Sequence, residues 1–383
     1  MATRKPISLK KGENPEGQLW PDEPDRFTED HVDKLLSWCV AQGASDVTIQ
    51  TDRPVYNDIS GKLYPATFRP VDSGDMAIFL SKIYGAEAQA RLASGKDLDL
   101  SYEIRPDRYS RMRFRVNITA ILSKGRDAAQ ITMRTLPTEP PTLEALGIEE
   151  DIIKHVAPRQ GMVVITGPTG SGKTTLLAAV NRMLLEQPNG CGKMLTYEAP
   201  IEYTYDTIQS PHSVVSQTEV GRHLDSFAHG VRNALRRKPN IILIGEARDK
   251  ETISAAIEAG QTGHAVYTTT HTTGVATTIR RMISTFDPEE RLERASALME
   301  TLRMIVTQAL VPKIGGGRIG IREWMHFDDA VREKLLDMDF QDWTNEVQRM
   351  MPNYGQTMAQ SASKAFEAGL IEKRHYLMLS NIS

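Results

Sequence analysis

The stretch from Met162 to Leu176 constrains this chain more than any other. Met162-Val163-Val164-Ile165-Thr166 is an apolar run of strand length, and Gly167-Pro168-Thr169-Gly170-Ser171-Gly172 is a glycine-rich turn. Lys173-Thr174-Thr175 then opens a segment in which Leu176, Leu177, Ala179, Val180, Met183 and Leu184 recur with helical spacing. Strand, loop and helix in this order satisfy G-x-x-x-x-G-K-[ST] in the context that gives the pattern meaning. The glycines let backbone N–H groups converge on an anion, and the helix adds the positive end of its dipole. Lys173 is placed to reach the outer phosphates and the Thr174 hydroxyl to ligate Mg²⁺. The segment predicts binding of a nucleoside triphosphate together with Mg²⁺.

The bulk numbers set limits. A chain of 383 residues has room for two or three domains, and 40% hydrophobic with 25% charged residues is an ordinary globular composition. A net charge of -3 argues against bulk electrostatic binding of nucleic acid. Cys39 and Cys191 are too few for a disulfide framework or a zinc site, which fits a reducing cytosol. No apolar run approaches the ~18 residues of a membrane span. Any membrane association is therefore expected to be peripheral, through partners and without lipid insertion.

Residues 1–26 are rich in Pro, Gly, Glu and Lys and read as a flexible arm. From Thr28 a helical face of Val32, Leu35, Leu36, Cys39 and Val40 runs to a terminator at Gly43. Strand-like segments follow, punctuated by Ser60-Gly61 and Ser94-Gly95. Leu136 to Pro141, with three prolines, reads as a hinge. Beyond it, apolar strands at 162–166, 194–198, 241–245 and 265–269 alternate with helical patterns, including Ser226 to Arg237, as in a parallel sheet covered by helices. Glu289 to Leu310 reads as one amphipathic helix, Gly315-Gly316-Gly317 as a hairpin turn, and the remainder from Asp328 as mostly helical.

Three clusters surround the phosphate loop. Ile241-Ile242-Leu243-Ile244-Gly245-Glu246 delivers a carboxylate at the end of a buried strand, where it can serve the metal's water shell. Tyr197-Glu198-Ala199-Pro200-Ile201-Glu202 holds two carboxylates four residues apart, able to polarise water. Thr262 to Thr273 contains His264 and His271, and His271, at the carboxyl end of its strand, is the better placed to sense a γ-phosphate. In the first domain Arg111, Arg113 and Arg115 alternate with Met112, Phe114 and Val116, and after a turn at Lys124-Gly125-Arg126-Asp127 the strand Gln130 to Arg134 alternates alike. The polar face of this hairpin is expected to gather guanidinium groups suited to phosphate.

These clusters, in this order, resemble the secretion-ATPase superfamily and its PilT-like branch. Residues 167–174 resemble its Walker A, residues 197–202 its Asp box, Ile244 to Asp249 its atypical Walker B, and Thr262 to Thr273 its His box. Arg113-Phe114-Arg115-Val116-Asn117 resembles the R-[FY]-R-V-N segment of its PAS-like domain, Gly43 to Val47 that domain's opening, and Leu310-Val311-Pro312-Lys313 its L-[LV]-P-K. Ala199 stands where the pilus motors carry Asp, and the version here, like Arg232 to Pro239, is similar to the DotB/TraJ group of type IVB secretion and conjugation.

The resemblance implies an α/β fold: a RecA-like P-loop domain at 142–328, preceded by an α+β PAS-like domain at 27–135 and a hinge at 136–141, with a helical extension at 329–383. It implies a homo-hexameric cytosolic ATPase recruited peripherally to the inner membrane, partnered by components of a type IV secretion or conjugation complex that include another secretion ATPase. Lys173, Glu246, His271 and either Glu202 or Glu198 would be catalytic, with Thr174 and Glu246 serving the metal. Gly167 to Thr175, His264 and the arginines Arg113, Arg115, Arg126 and Arg134 would bind nucleotide, the arginines in cis or across a subunit boundary. Ala330 to Leu336 is similar to a segment of the pilus-retraction motors, so retraction stands as the alternative, with a DNA translocase behind it.

Overall fold

The computed structural model describes residues 19–108 and 110–380, so most of the arm expected at 1–26 lies outside the described residues. The chain divides into two units, one formed by 1–138 with 199–203 and one by 139–198 with 204–383. The first unit is therefore not one continuous stretch of sequence, as the domain boundaries above assumed.

In the first unit, α1 (Glu29–Ala41) starts after Thr28, whose N–H donates to His31 Nδ1 at 3.2 Å. It buries Val32, Leu35, Leu36 and Cys39, as the spacing predicts. The chain continues through β1 (Asp46–Gln50), β2 (Tyr56–Ile59), β3 (Lys62–Pro65), α2 (Ser73–Ile83), α3 (Ala88–Ala93), β4 (Leu98–Ile104), β5 (Met112–Ser123) and β6 (Arg126–Leu136). The six strands form an antiparallel sheet in the order β3-β2-β1-β6-β5-β4. Ser60-Gly61 makes the β2–β3 turn, whereas Ser94 caps α3, so a helix stands where a strand boundary was expected. Lys124 and Gly125 both have positive φ, 48° and 76°, the two-residue turn that matches strand twist.

The second unit runs α4 (Glu150–His155), β7 (Gly161–Thr166), α5 (Lys173–Leu185), β8 (Gly192–Glu198), β9 (Ser213–Glu219), α6 (Phe227–Ala234), β10 (Ile241–Ile244), α7 (Lys250–Gln261), β11 (Ala265–Thr270) and α8 (Val275–Ser284). Then follow α9 (Arg291–Thr301), β12 (Leu302–Pro312), β13 (Arg318–His326), α10 (Asp329–Leu336), α11 (Trp343–Tyr354), β14 (Gly355–Gln356), α12 (Met358–Glu367) and α13 (Lys373–Ser380). The sheet order is β14-β13-β12-β7-β11-β10-β8-β9, parallel from β12 to β9 and antiparallel at β13 and β14.

Both faces of the central strands are covered. Met162, Val164, Ile242, Ile244 and Val266 enter one core, and Val163, Ile165, Ile241, Leu243 and Tyr267 the other, which is the two-sided burial of a parallel sheet. The helix expected over Glu289 to Leu310 is corrected: α9 stops at Thr301, and Leu302 onward is a strand paired with β7 on one side and β13 on the other. A mostly apolar run, here broken only by Arg303, Thr307 and Gln308, carries no clear period that separates a buried strand from a buried helix, and pairing on both sides decides it. Likewise α6 ends at Ala234 rather than Arg237. The triple-glycine turn does join β12 to β13. The C-terminal segment belongs to the second unit, tied to it by the β14–β13 pairing.

Candidate nucleotide site

The site is built at the carboxyl ends of adjacent parallel strands, where ligands bind in open α/β sheets. β7 delivers the phosphate loop, its neighbour β11 delivers His271, β10 delivers Glu246 and β8 ends at Glu198. The loop needs its glycines. Gly167 sits at φ +144°, and a Cβ there would lie 2.3 Å from the Gln308 carbonyl oxygen. Gly172, at φ +82°, would put a Cβ 2.9 Å from Gln308 Nε2. Pro168, Thr169 and Gly170 face solvent, Ser171 is buried, and α5 begins at Lys173 with Thr174 and Thr175 half-buried behind it.

Lys173 is only 8% exposed. Its ammonium donates to the carbonyls of Gly167 at 2.8 Å and Pro168 at 3.2 Å, and stands 3.3 Å from His271 Nδ1. His271 Nε2 is in turn 3.3 Å from Glu246 Oε1. An ammonium only donates and a carboxylate only accepts, so the neutral tautomer with hydrogen on Nε2 satisfies both neighbours. Three residues drawn from three separate motifs thus form one polar chain, Lys173–His271–Glu246.

Hydroxyls stiffen the base of this chain. Thr166 Oγ1 lies 2.7 Å from the Thr272 hydroxyl and accepts from Thr272 N–H at 3.0 Å, and Thr272 reaches the Thr278 hydroxyl at 2.6 Å. Thr269 Oγ1 donates to the Gly245 carbonyl at 2.6 Å, locking the Glu246 turn to β11. Sequence reasoning flagged a threonine-rich loop around His271 but missed Thr166 and Thr278 as its anchors. A hydroxyl ending an otherwise aliphatic strand was the available signal.

Glu198 is 6% exposed and accepts from Thr196 Oγ1 at 2.6 Å and Gln217 Nε2 at 3.3 Å. Glu202 belongs to the first unit, where its carboxylate is 3.5 Å from Arg115 Nη1. Among the described residues no three His, Cys, Asp or Glu side chains gather as a metal cage. One helix-start hydroxyl, Thr174, with the Glu246 carboxylate fits Mg²⁺, which keeps several waters and takes its other ligands from phosphate.

Three expected site residues are engaged by other partners within their own units. His264 precedes β11, its Nδ1 3.1 Å from the Ala259 carbonyl at the end of α7. A six-residue strand separates it from His271, about 23 Å at ~3.3 Å per residue, so the two imidazoles serve opposite ends of the sheet. Arg113 is 4% exposed and donates to the Ile201 and Glu202 carbonyls at 2.8 and 2.5 Å, a structural lock rather than an offered guanidinium. Arg126 shares a face with Arg134 but stands eight residues along β6, about 27 Å away, where it pairs with Asp52 at 3.3 Å. Arg115 and Arg134 do stand opposite each other across the β5–β6 ladder.

A cavity of about 750 Å³ adjoins the loop, lined by Gly172 and Thr175 on the loop side and by Glu149, Gln308, Arg322 and Gln356 opposite. Sequence reasoning missed these four. Gln308 fell inside the segment read as helix, and the others belong to no motif.

Known proteins resemble this chain over most of its length. The family model described as "Type II/IV secretion system protein" matches residues 22–316. The type IV pilus retractation ATPase PilT of Pseudomonas aeruginosa is 36% identical over 310 residues, 80% of this chain and 85% of its own. The crystal structure of the Legionella pneumophila ATPase DotB superposes with a TM-score of 0.91 at 47% identity, covering 96% of this chain and all of that one. The pilus retraction motor PilT with bound ADP gives 0.78 at 30% identity, covering 91% and 96%.

Proposed function

The chain belongs to the Type II/IV secretion system protein family, and from that footing we propose that it is a hexameric ATPase powering a type IVB-like secretion or conjugative apparatus. The observation that carries the catalytic reading is the Lys173–His271–Glu246 chain beside the phosphate loop. The branch is supported by 47% identity to a DotB ATPase and by Ala199 in place of the Asp of pilus motors.

In this reading ATP lays its phosphates along the N–H groups of residues 167–174, and its nucleoside enters the adjoining cavity. Lys173 exchanges the Gly167 and Pro168 carbonyls for phosphate oxygens. Thr174 and, through water, Glu246 would hold Mg²⁺, which neutralises charge on the β- and γ-phosphates when bound. Glu202 or Glu198 orients a water that attacks the γ-phosphorus. The bond to the β–γ bridging oxygen breaks as the water's proton passes to the carboxylate and then to phosphate. His271 links the γ-phosphate end of the site to the threonine network of the sheet. Arg115 and Arg134 remain as the guanidiniums that assist, a role worth about 10³–10⁵ in rate where it occurs. A ring recruited peripherally to the inner membrane, beside another secretion ATPase, would turn this cycle into movement.

The pilus-retraction alternative keeps support from the 36% identity to PilT. The deciding experiment replaces the wild-type gene by the Lys173→Ala allele in the source cell. Loss of conjugation or effector secretion with twitching intact supports the proposal, and the converse pattern transfers the chain to retraction. Absence of magnesium-dependent ATP hydrolysis by the purified full chain would remove both.

A further inference from the structure

Gln308 on β12 stands directly opposite Arg322 on β13. Both are buried, 4% and 3% exposed. Arg322 Nε donates to Gln308 Oε1 at 2.8 Å, and Gln308 Nε2 donates to the Ser171 carbonyl of the phosphate loop at 2.6 Å. A primary amide is nearly symmetric in shape, so its neighbours decide which end points where. A guanidinium has no acceptor and can only face the oxygen, which turns the amide hydrogens toward the loop.

Arg322 is itself held fast. Nη1 donates to Glu149 Oε2 at 3.0 Å and to the Gly147 carbonyl at 3.2 Å, and Nη2 to the Leu146 carbonyl at 3.3 Å. Burial pulls the Arg322 pKa down and the Glu149 carboxylate opposes that pull. From the other side, Arg322 N–H donates to Ser361 Oγ at 3.0 Å, Gln356 Nε2 donates to the Arg322 carbonyl at 3.2 Å, and Lys364 Nζ donates to Gln356 Oε1 at 2.6 Å. Ser361 and Lys364 lie on α12, so the C-terminal helices are wired to the phosphate loop.

The consequence lies in the Ser171–Gly172 peptide, which is trans. In a trans peptide the C=O and the following N–H point in opposite directions. Anchoring the Ser171 oxygen on Gln308 therefore aims the Gly172 N–H away from β12, and backbone N–H groups are what a loop of this type offers to phosphate.

We propose that Arg322 is a positioning residue for the phosphate loop, acting through Gln308, and that α12 tunes phosphate affinity along the path Lys364–Gln356–Arg322–Gln308–Ser171. The proposal rests on reading residues 167–174 as the nucleotide site.

The test uses the full chain and two probes, a fluorescent ATP analogue and inorganic tripolyphosphate, which has no nucleoside to enter the cavity. Gln308→Glu keeps the volume and the Arg322 partner but sets a carboxylate oxygen against the Ser171 carbonyl. Affinity for both probes is expected to fall about tenfold, or about 1.4 kcal/mol, while the melting temperature without ligand holds or rises. Arg322→Lys keeps one donor for Gln308 and should fall between wild type and Arg322→Met for both probes. It carries the same test should Gln308→Glu fail to fold. Unchanged affinities in stable variants overturn the proposal, with wild-type ATP binding still standing. A loss confined to the ATP analogue also overturns it, because the network would then act on the nucleoside. Wild type that binds neither probe sinks the nucleotide reading itself.

Discussion

Glu246→Gln separates catalysis from stability at one position. The Glu246 side chain is 25% exposed, its partner His271 is 48% exposed, and their contact is a long 3.3 Å. A contact so solvated contributes about 0–1 kcal/mol to folding, and the glutamine amide still offers an oxygen to His271 Nε2–H. The melting temperature should therefore move by no more than about 3 °C for a chain of this size. In the transition state the same carboxylate is asked to order the metal's water shell, and its charge cannot be replaced by an amide. A positioned acid–base or metal-ordering group contributes about 10²–10⁴ in rate, equivalent to about 3–5 kcal/mol. The prediction is an asymmetry: turnover falls at least a hundredfold while nucleotide affinity changes by less than about threefold. Phosphate release at saturating ATP gives the first quantity, titration with a fluorescent analogue the second, and scanning fluorimetry the stability. The double variant with His271→Asn should lose little more than the worse single variant, since members of one chain act as a unit. Turnover within about threefold of wild type refutes the assignment. So does a turnover loss matched by comparable destabilisation, because the residue would then be structural.

Gly167→Ala should abolish nucleotide binding and lower stability by about 2–5 kcal/mol, combining a disallowed φ of +144° with a Cβ 2.3 Å from a carbonyl oxygen; denaturant melts check it. His264→Gln and Arg126→Ala should leave turnover within about twofold of wild type, whereas Arg115→Ala should cut it severalfold or more; steady-state ATPase assays on the three decide. His326 stacks on His155 with centroids 4.2 Å apart, and burial first, then the neighbouring imidazole, push its pKa below the usual histidine value against the opposing Asp328 and Asp151. A depressed histidine keeps the unfolded chain the better proton binder, so stability should be flat above about pH 6.5 and decline as pH falls through that value. His326→Phe should flatten the decline by up to one proton's worth of slope in chemical melts between pH 5 and 8.

What could be read in advance follows from how far each kind of sequence signal reaches. The phosphate loop was legible because its chemistry is local: one strand, one turn and one helix start hold every group that meets phosphate. β8, β10 and β11 were legible because burial on both faces leaves four or more consecutive apolar or threonine positions. The same rule hid β12, whose run from Leu302 to Leu310 satisfies helix and strand alike until β7 and β13 pair with it. With β12 hidden, Gln308 and Arg322 had no place, although they brace the loop on which the functional reading turned. The separations of His264 from His271 and of Arg126 from Arg134 were hidden for a second reason. A period of two assigns a residue to a face but not to a height along the strand, and seven or eight residues of strand span about 23–27 Å. Arg115 and Arg134 survive as partners because the hairpin register, not the alternation, sets them opposite each other. Motif order thus locates the strand ends of a P-loop sheet, while register decides which flanking side chains share one site.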